Sequence, residues 1–124
     1  MTFPLLILSL NGVIYEGNAS VCYVPTAVGP LGILPGHTPL IDRINEKGGV
    51  LRFDDESGKT HYLALSDGAL HVSKSKVMIL ASQAIEAPSI EKAKELLLSF
   101  SSTKDERMEE KDIKLAQGLS SKKI

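Results

Sequence analysis

Tryptophan is absent, and only six residues are phenylalanine or tyrosine. A surface that captures sugars or peptides on aromatic anchors has little to work with here. The one cysteine, Cys22, cannot form an internal disulfide, which fits a reducing compartment. No apolar run reaches the roughly 18 residues needed to cross a bilayer. Phe3 to Leu10 is apolar but short and lacks a basic flank, so it reads as a strand and not as a signal peptide. An excess of either charge is missing too. Fourteen Lys and Arg face 15 Asp and Glu, which leaves no basic face for nucleic acid. His37, His61 and His71 lack metal-ligand spacing, and no second thiol joins them.

What is present is a strand pattern. The 43% hydrophobic content can fill a core, and up to residue 84 short apolar runs alternate with turn signals at sandwich or barrel spacing. Asn11-Gly12 closes the first run as a hairpin. Val13–Glu16 and Ala19–Val24 follow, with a break expected at Gly17-Asn18. Leu40–Ile44, Gly49–Phe53, Thr60–Leu65, Leu70–Ser73 and Val77–Ala81 complete the set. Many of these runs are apolar on both faces, as two packed sheets require. Near Glu86-Ala87-Pro88 the character changes. Ser89 is a candidate N-cap, and Ile90, Ala93, Leu96, Leu97 and Phe100 follow helical spacing. A polar second helix is expected from Glu106 to about Leu119, with a thin stripe of Met108, Leu115 and Leu119. The prediction is a mainly β chain: an N-terminal β-sandwich, residues 1–84, followed by a C-terminal α-helical hairpin, residues 85–124. So short a hairpin cannot be stable alone and must dock or stay movable.

The densest information lies in Gly29 to Leu40. Leu34-Pro35-Gly36-His37 suits a type II turn, with Pro35 presetting φ and Gly36 taking the positive φ. Gly29-Pro30-Leu31-Gly32 reads as a second turn. The expected result is a stiff loop presenting Leu31, Ile33, Leu34 and His37 at its tip, more a contact surface than a reaction centre.

Signs of catalysis are weak. Gly58-Lys59-Thr60 imitates the end of a phosphate-binding loop, but Phe53 stands where its first glycine should be, and Asp54, Asp55 and Glu56 would repel phosphate. A hairpin turn is the better reading. Cys22 with His37 could pair a nucleophile and a base, yet a cysteine in an apolar strand behaves as a small hydrophobe. His61 and His71 read as strand or hairpin residues. His37 either makes a contact from the stiff turn or merely closes that turn by hydrogen bonds.

The Gly-Ile-Leu-Pro-Gly-His-Thr-Pro run at residues 32 to 39, with Tyr15-Glu16-Gly17, Gly49-Val50-Leu51 and Val77-Met78-Ile79-Leu80-Ala81 in order around it, resembles the epsilon subunit of the F-type ATP synthase. The resemblance implies a non-catalytic rotor subunit of the central stalk, without a cofactor or metal. Its sandwich would bind the gamma subunit, and its loop would sit on the ring of c subunits. The C-terminal helices would restrain ATP hydrolysis by the catalytic beta and alpha subunits. The motif carries over to Gly29, Leu31, Gly32, Ile33, Leu34 and His37, with Pro30 where an acidic residue is common. Ser66-Asp67-Gly68-Ala69-Leu70 stands for the family's Ser-Gly-Gly-Phe-Leu. Lys114, Lys122 and Lys123 form a cationic end suited to inhibition at an acidic segment of beta. The family's nucleotide pattern, Ile/Leu-Asp-x-x-Arg-Ala, appears as Pro88-Ser89-Ile90-Glu91-Lys92-Ala93. Serine and lysine replace aspartate and arginine, which implies no ATP site. The resemblance further implies attachment to a membrane only through the complex, on the cytoplasmic face of a bacterial inner membrane or the stromal face of a thylakoid, and no homo-oligomer. An independent binding module using the Gly29–His37 loop is the competing reading.

Overall fold

The computed structural model describes residues 1–100. Nine strands form one continuous sheet that folds over on itself: β1 (Phe3–Ser9), β2 (Gly12–Thr26), β3 (Gly29–Ile33), β4 (Leu40–Arg43), β5 (Gly49–Asp55), β6 (Thr60–Leu65), β7 (Gly68–Val72), β8 (Val77–Ala81) and β9 (Ala84–Ala87). The order along the sheet is β4-β7-β8-β1-β2-β5-β6-β9, with β3 paired to β2. Helix α1 occupies residues 90–100. The expected second helix, with Lys114, Lys122 and Lys123, lies outside the described residues.

β2 makes the sandwich possible. It runs 15 residues without the break expected at Gly17-Asn18, because Gly17 pairs with Leu5 and Asn18 with Pro4. Its first half pairs with β1; its second half pairs with β3 and β5. The register shift between Ala19 and Val21 is the bulge that bends the strand from one sheet into the other. All pairings are antiparallel except β1 with β8, which closes the first layer in parallel.

Period-two alternation decides what faces inward. Phe3, Leu5 and Ile7 of β1 meet Leu51 and Phe53 of β5, Leu63 and Leu65 of β6, Leu70 of β7 and Ile79 of β8 in one buried cluster. Each such side chain contributes on the order of 1.5–3 kcal/mol. In α1 only Ala93 is fully buried, so the sandwich dominates stability among the described residues. Ser89 caps the helix as its sequence suggests: its Oγ accepts from Lys92 N at 3.2 Å. The half-buried stripe is Leu96, Leu97 and Phe100, and Leu97 lies against Gly48. β3 and β9 were not predicted as strands; β9 pairs with β6 and carries the sheet past residue 84. Four residues, two of them alanine, give too short a pattern to be read in advance.

Candidate functional site

Two of the expectations for the Gly29–His37 segment need correction. Gly29–Gly32 is not a turn but most of β3, with Leu31 opposite Val24 and Pro30 opposite Pro25. The turn lies earlier, at residues 26–29, where Thr26 Oγ1 donates to Gly29 O and Gly29 takes φ +123°. A proline is tolerated in β3 because that strand is an edge and need not donate on both sides. The second correction follows from alternation along β3. Ile33 is not at an exposed tip; it is wholly buried opposite Cys22, and Leu31 packs half-buried against the core. Gly32 faces outward against the Tyr23 ring, and Leu34 is 59% exposed.

The Leu34–His37 turn is as its residues dictate. Gly36 has φ +83°, and His37 N donates to Leu34 O at 3.1 Å. The His37 ring is also tied down, its Nδ1 donating to Thr38 O at 2.8 Å. Of the six loop residues singled out in the sequence, Gly32, Leu34 and part of His37 are left for a partner, with Val28 exposed on the preceding turn.

The larger apolar surface was missed. On the outer face of the first layer the register aligns Leu6 with Met78 and Leu8 with Leu80, and continues from Leu8 to Val13. Ile41 stands opposite His71 on the edge strand β4. Ile41 is 78% exposed, Val13 59% and Leu80 46%. The signal was present as strands apolar on both faces, but a second packed sheet explained it equally well.

At the far end of the second layer, Phe53, Asp55, His61 and Glu86 converge. His61 stands opposite Phe53 in the β5–β6 ladder, and the rings stack at 4.5 Å with 4° between planes. Its Nε2 donates to Asp55 Oδ2 at 2.8 Å and its Nδ1 to Glu86 Oε2 at 2.7 Å. Burial pulls the His61 pKa down, but the hydrogen bonds and charges of Asp55 and Glu86 outweigh it and raise the pKa above the ordinary value. The Tyr15 ring covers the cluster, 4.5 Å from Phe53 and 5.6 Å from His61 between centroids. Burial first, then Asp55, Glu56 and Glu86, raise the Tyr15 pKa. Asp55 also anchors the β5–β6 turn, accepting from Ser57 N at 2.9 Å and Lys59 N at 3.0 Å. Gly58-Lys59-Thr60 is therefore part of a hairpin turn. Nothing in the sequence connects Asp55 or His61 with Glu86, since the chain places them in different strands.

Cys22 faces the core, where burial pushes its thiol pKa far up. Among the described residues no group of three or more His, Cys, Asp or Glu is arranged to hold a metal ion. No described helix is long and apolar enough to cross a membrane.

These features define a β-sandwich whose apolar excess lies on one sheet face and one turn, a surface fitted to docking. The family model of the ATP synthase delta/epsilon chain β-sandwich domain matches residues 2–87, which is β1 through β9, and the chain belongs to that family. Two cryo-EM structures share the fold. One is the Euglena gracilis mitochondrial ATP synthase (OSCP/F1/c-ring in rotational state 1), with TM-score 0.63 and 23% identity over 68% of this chain and 53% of that one. The other is the Tetrahymena thermophila mitochondrial ATP synthase (central stalk/c-ring), with TM-score 0.56 and 14% identity over 68% of this chain and 66% of that one. The chain thus spans about half the length of the first and just under two thirds of the second.

Proposed function

We propose that this chain is the epsilon-type subunit of a proton-translocating ATP synthase, a rotor component that catalyses nothing itself. The family match over all nine strands carries this reading. The outer face bearing Leu80, Val13 and Ile41 is the docking surface for the gamma subunit, because an apolar face of this extent is costly to leave in water. The Leu34–His37 turn, with Gly32 beside it, contacts the c-subunit ring. Residues 1–84, extended by β9, form the stalk domain. The remaining residues, 88–124, form the regulatory element, whose Lys114, Lys122 and Lys123 meet an acidic segment of a beta subunit and restrain ATP hydrolysis. The protein lies on the membrane face that carries the catalytic head, the cytoplasmic face in a bacterium or the stromal face in a plastid.

Co-purification tests the partner. The tagged chain should retain gamma, and Leu80→Asp should release it while leaving the fold intact, since Leu80 is nearly half exposed. Undiminished retention of gamma by the variant would move the interface elsewhere. Replacing the three lysines by glutamine should raise ATP hydrolysis and weaken its salt dependence, as expected of a partly solvated charge contact.

A further inference from the structure

The two contacts of the His61 ring fix its charge state by geometry. An ionised carboxylate only accepts hydrogen bonds, and a neutral imidazole has one N–H to give. With Asp55 Oδ2 at 2.8 Å from Nε2 and Glu86 Oε2 at 2.7 Å from Nδ1, both nitrogens must donate, so the ring is an imidazolium. Loss of that proton turns one contact into a lone pair facing a carboxylate. The three residues come from three strands: Asp55 ends β5, His61 lies in β6, and Glu86 lies in β9, the last strand before α1.

Asp55 does not depend on His61 for its place, because Ser57 and Lys59 amides also hold it. Glu86 is different. Its side chain is 47% exposed, and His61 is the partner that draws it inward. When the proton leaves, Glu86 is the carboxylate that can withdraw into water. The apolar anchors of β9 are small, Ala84 and Ala87, and Ile85, on the opposite face from Glu86, is 43% exposed. A strand held this lightly belongs to the low-stability end of the fold.

We propose that Asp55, His61 and Glu86 form a proton-operated clasp that fastens β9, and with it the start of α1, to the β5–β6 hairpin. The groups that face His61 are Asp55 at the end of β5, Glu86 from β9 and the Tyr15 ring from β2, and Glu56 of the β5–β6 turn adds its charge near Tyr15. The surroundings are acidic, so the clasp closes with the ring charged and opens as pH rises. Opening would free the junction between the sandwich and the C-terminal segment, whatever partners the sandwich has.

Ring-nitrogen NMR of the full chain tests the first half. The His61 midpoint should lie above the ordinary imidazole value of about 6.5, and Glu86→Gln should lower it by about one pH unit or more, as the loss of an adjacent opposite charge requires. Amide exchange tests the second half. As pH passes the His61 midpoint, exchange of the β9 amides should accelerate beyond the base-catalysed rise shown by β1. In Glu86→Gln, whose exposed position preserves the fold, that excess should vanish. A His61 midpoint at or below that ordinary value would overturn the proposal. So would a β9 excess that persists in the variant, or no excess in the parent chain.

Discussion

Ile33 stands opposite Cys22 in the β2–β3 ladder, and neither side chain reaches solvent. Leu34, the next residue, turns outward. Adjacent residues of one apolar motif thus have opposite roles. Ile33→Asp places a charge in the core and should cost several kcal/mol or prevent folding. Leu34→Asp should change stability by no more than about 0.5 kcal/mol, and, where the turn contacts the c-subunit ring as proposed, loosen proton coupling. Urea titration separates them, and equal losses in both variants would mean the turn is not free of the core.

Gly68 has no room for a side chain. A Cβ there would lie 1.9 Å from Leu80 O and 2.7 Å from Ala81 Cα. Both neighbours are backbone in β8, so the strand itself must shift. Gly68 O also accepts from Ile44 N, which ties β7 to the chain leaving β4. Gly68→Ala should therefore destabilise by about 1–3 kcal/mol, the range for overpacking a closed site. An unchanged denaturant midpoint would show that β8 yields freely.

Stability should fall on both sides of a maximum. His61 binds its proton more tightly in the folded chain, so its contribution is complete below the unfolded value of about 6.5 and disappears as pH rises through the higher folded value. Asp55 acts in the opposite sense. Hydrogen bonds from Ser57 and His61 hold its pKa well below the usual carboxylate range. Its contribution is present above that range and is lost as pH falls. The thermal midpoint measured against pH should show both limbs, and His61→Phe should flatten the alkaline one. An equally steep alkaline limb in the variant would assign it to another group.

β9 defines where the sandwich can be cut. A chain ending after Ala87 keeps the β6–β9 ladder and the Glu86 contact. A chain ending after Gln83 loses both. The longer form should melt cooperatively, and the shorter should melt lower, each kcal/mol lost corresponding to about 4–8 °C. Equal midpoints would make β9 dispensable.

Much of the fold was legible because alternation and turn chemistry are local. Leu34-Pro35-Gly36-His37 forms the turn its residues demand, and Ser89 caps the helix it precedes. The errors came where tertiary pairing overrode local signals. Gly17-Asn18 looked like a break until Leu5 and Pro4 paired with it. Pro30 looked like a turn residue until the edge of β2 took it up. The clasp was illegible because Asp55 and Glu86 meet His61 only through the β5–β6 and β6–β9 pairings. The outer apolar face was legible as composition but not as exposure, which depends on which layer covers which.

The last expectation concerns nucleotide. Ser89 and Lys92 stand where the related nucleotide pattern has aspartate and arginine, and both already have structural partners. Ser89 Oγ caps α1 by accepting from Lys92 N, and Lys92 Nζ approaches Glu95 Oε1 at 3.4 Å. A hydroxyl bound to a backbone amide and an ammonium held beside a carboxylate offer no bidentate fork for a phosphate chain. Binding to the folded state alone would stabilise the chain by RT ln(1 + [L]/Kd), about 2.7 kcal/mol at a hundredfold excess over Kd. Millimolar ATP should instead leave the thermal midpoint unchanged. A rise of several degrees that ADP or inorganic phosphate does not reproduce would reveal an ATP site and overturn the expectation drawn from Ser89 and Lys92.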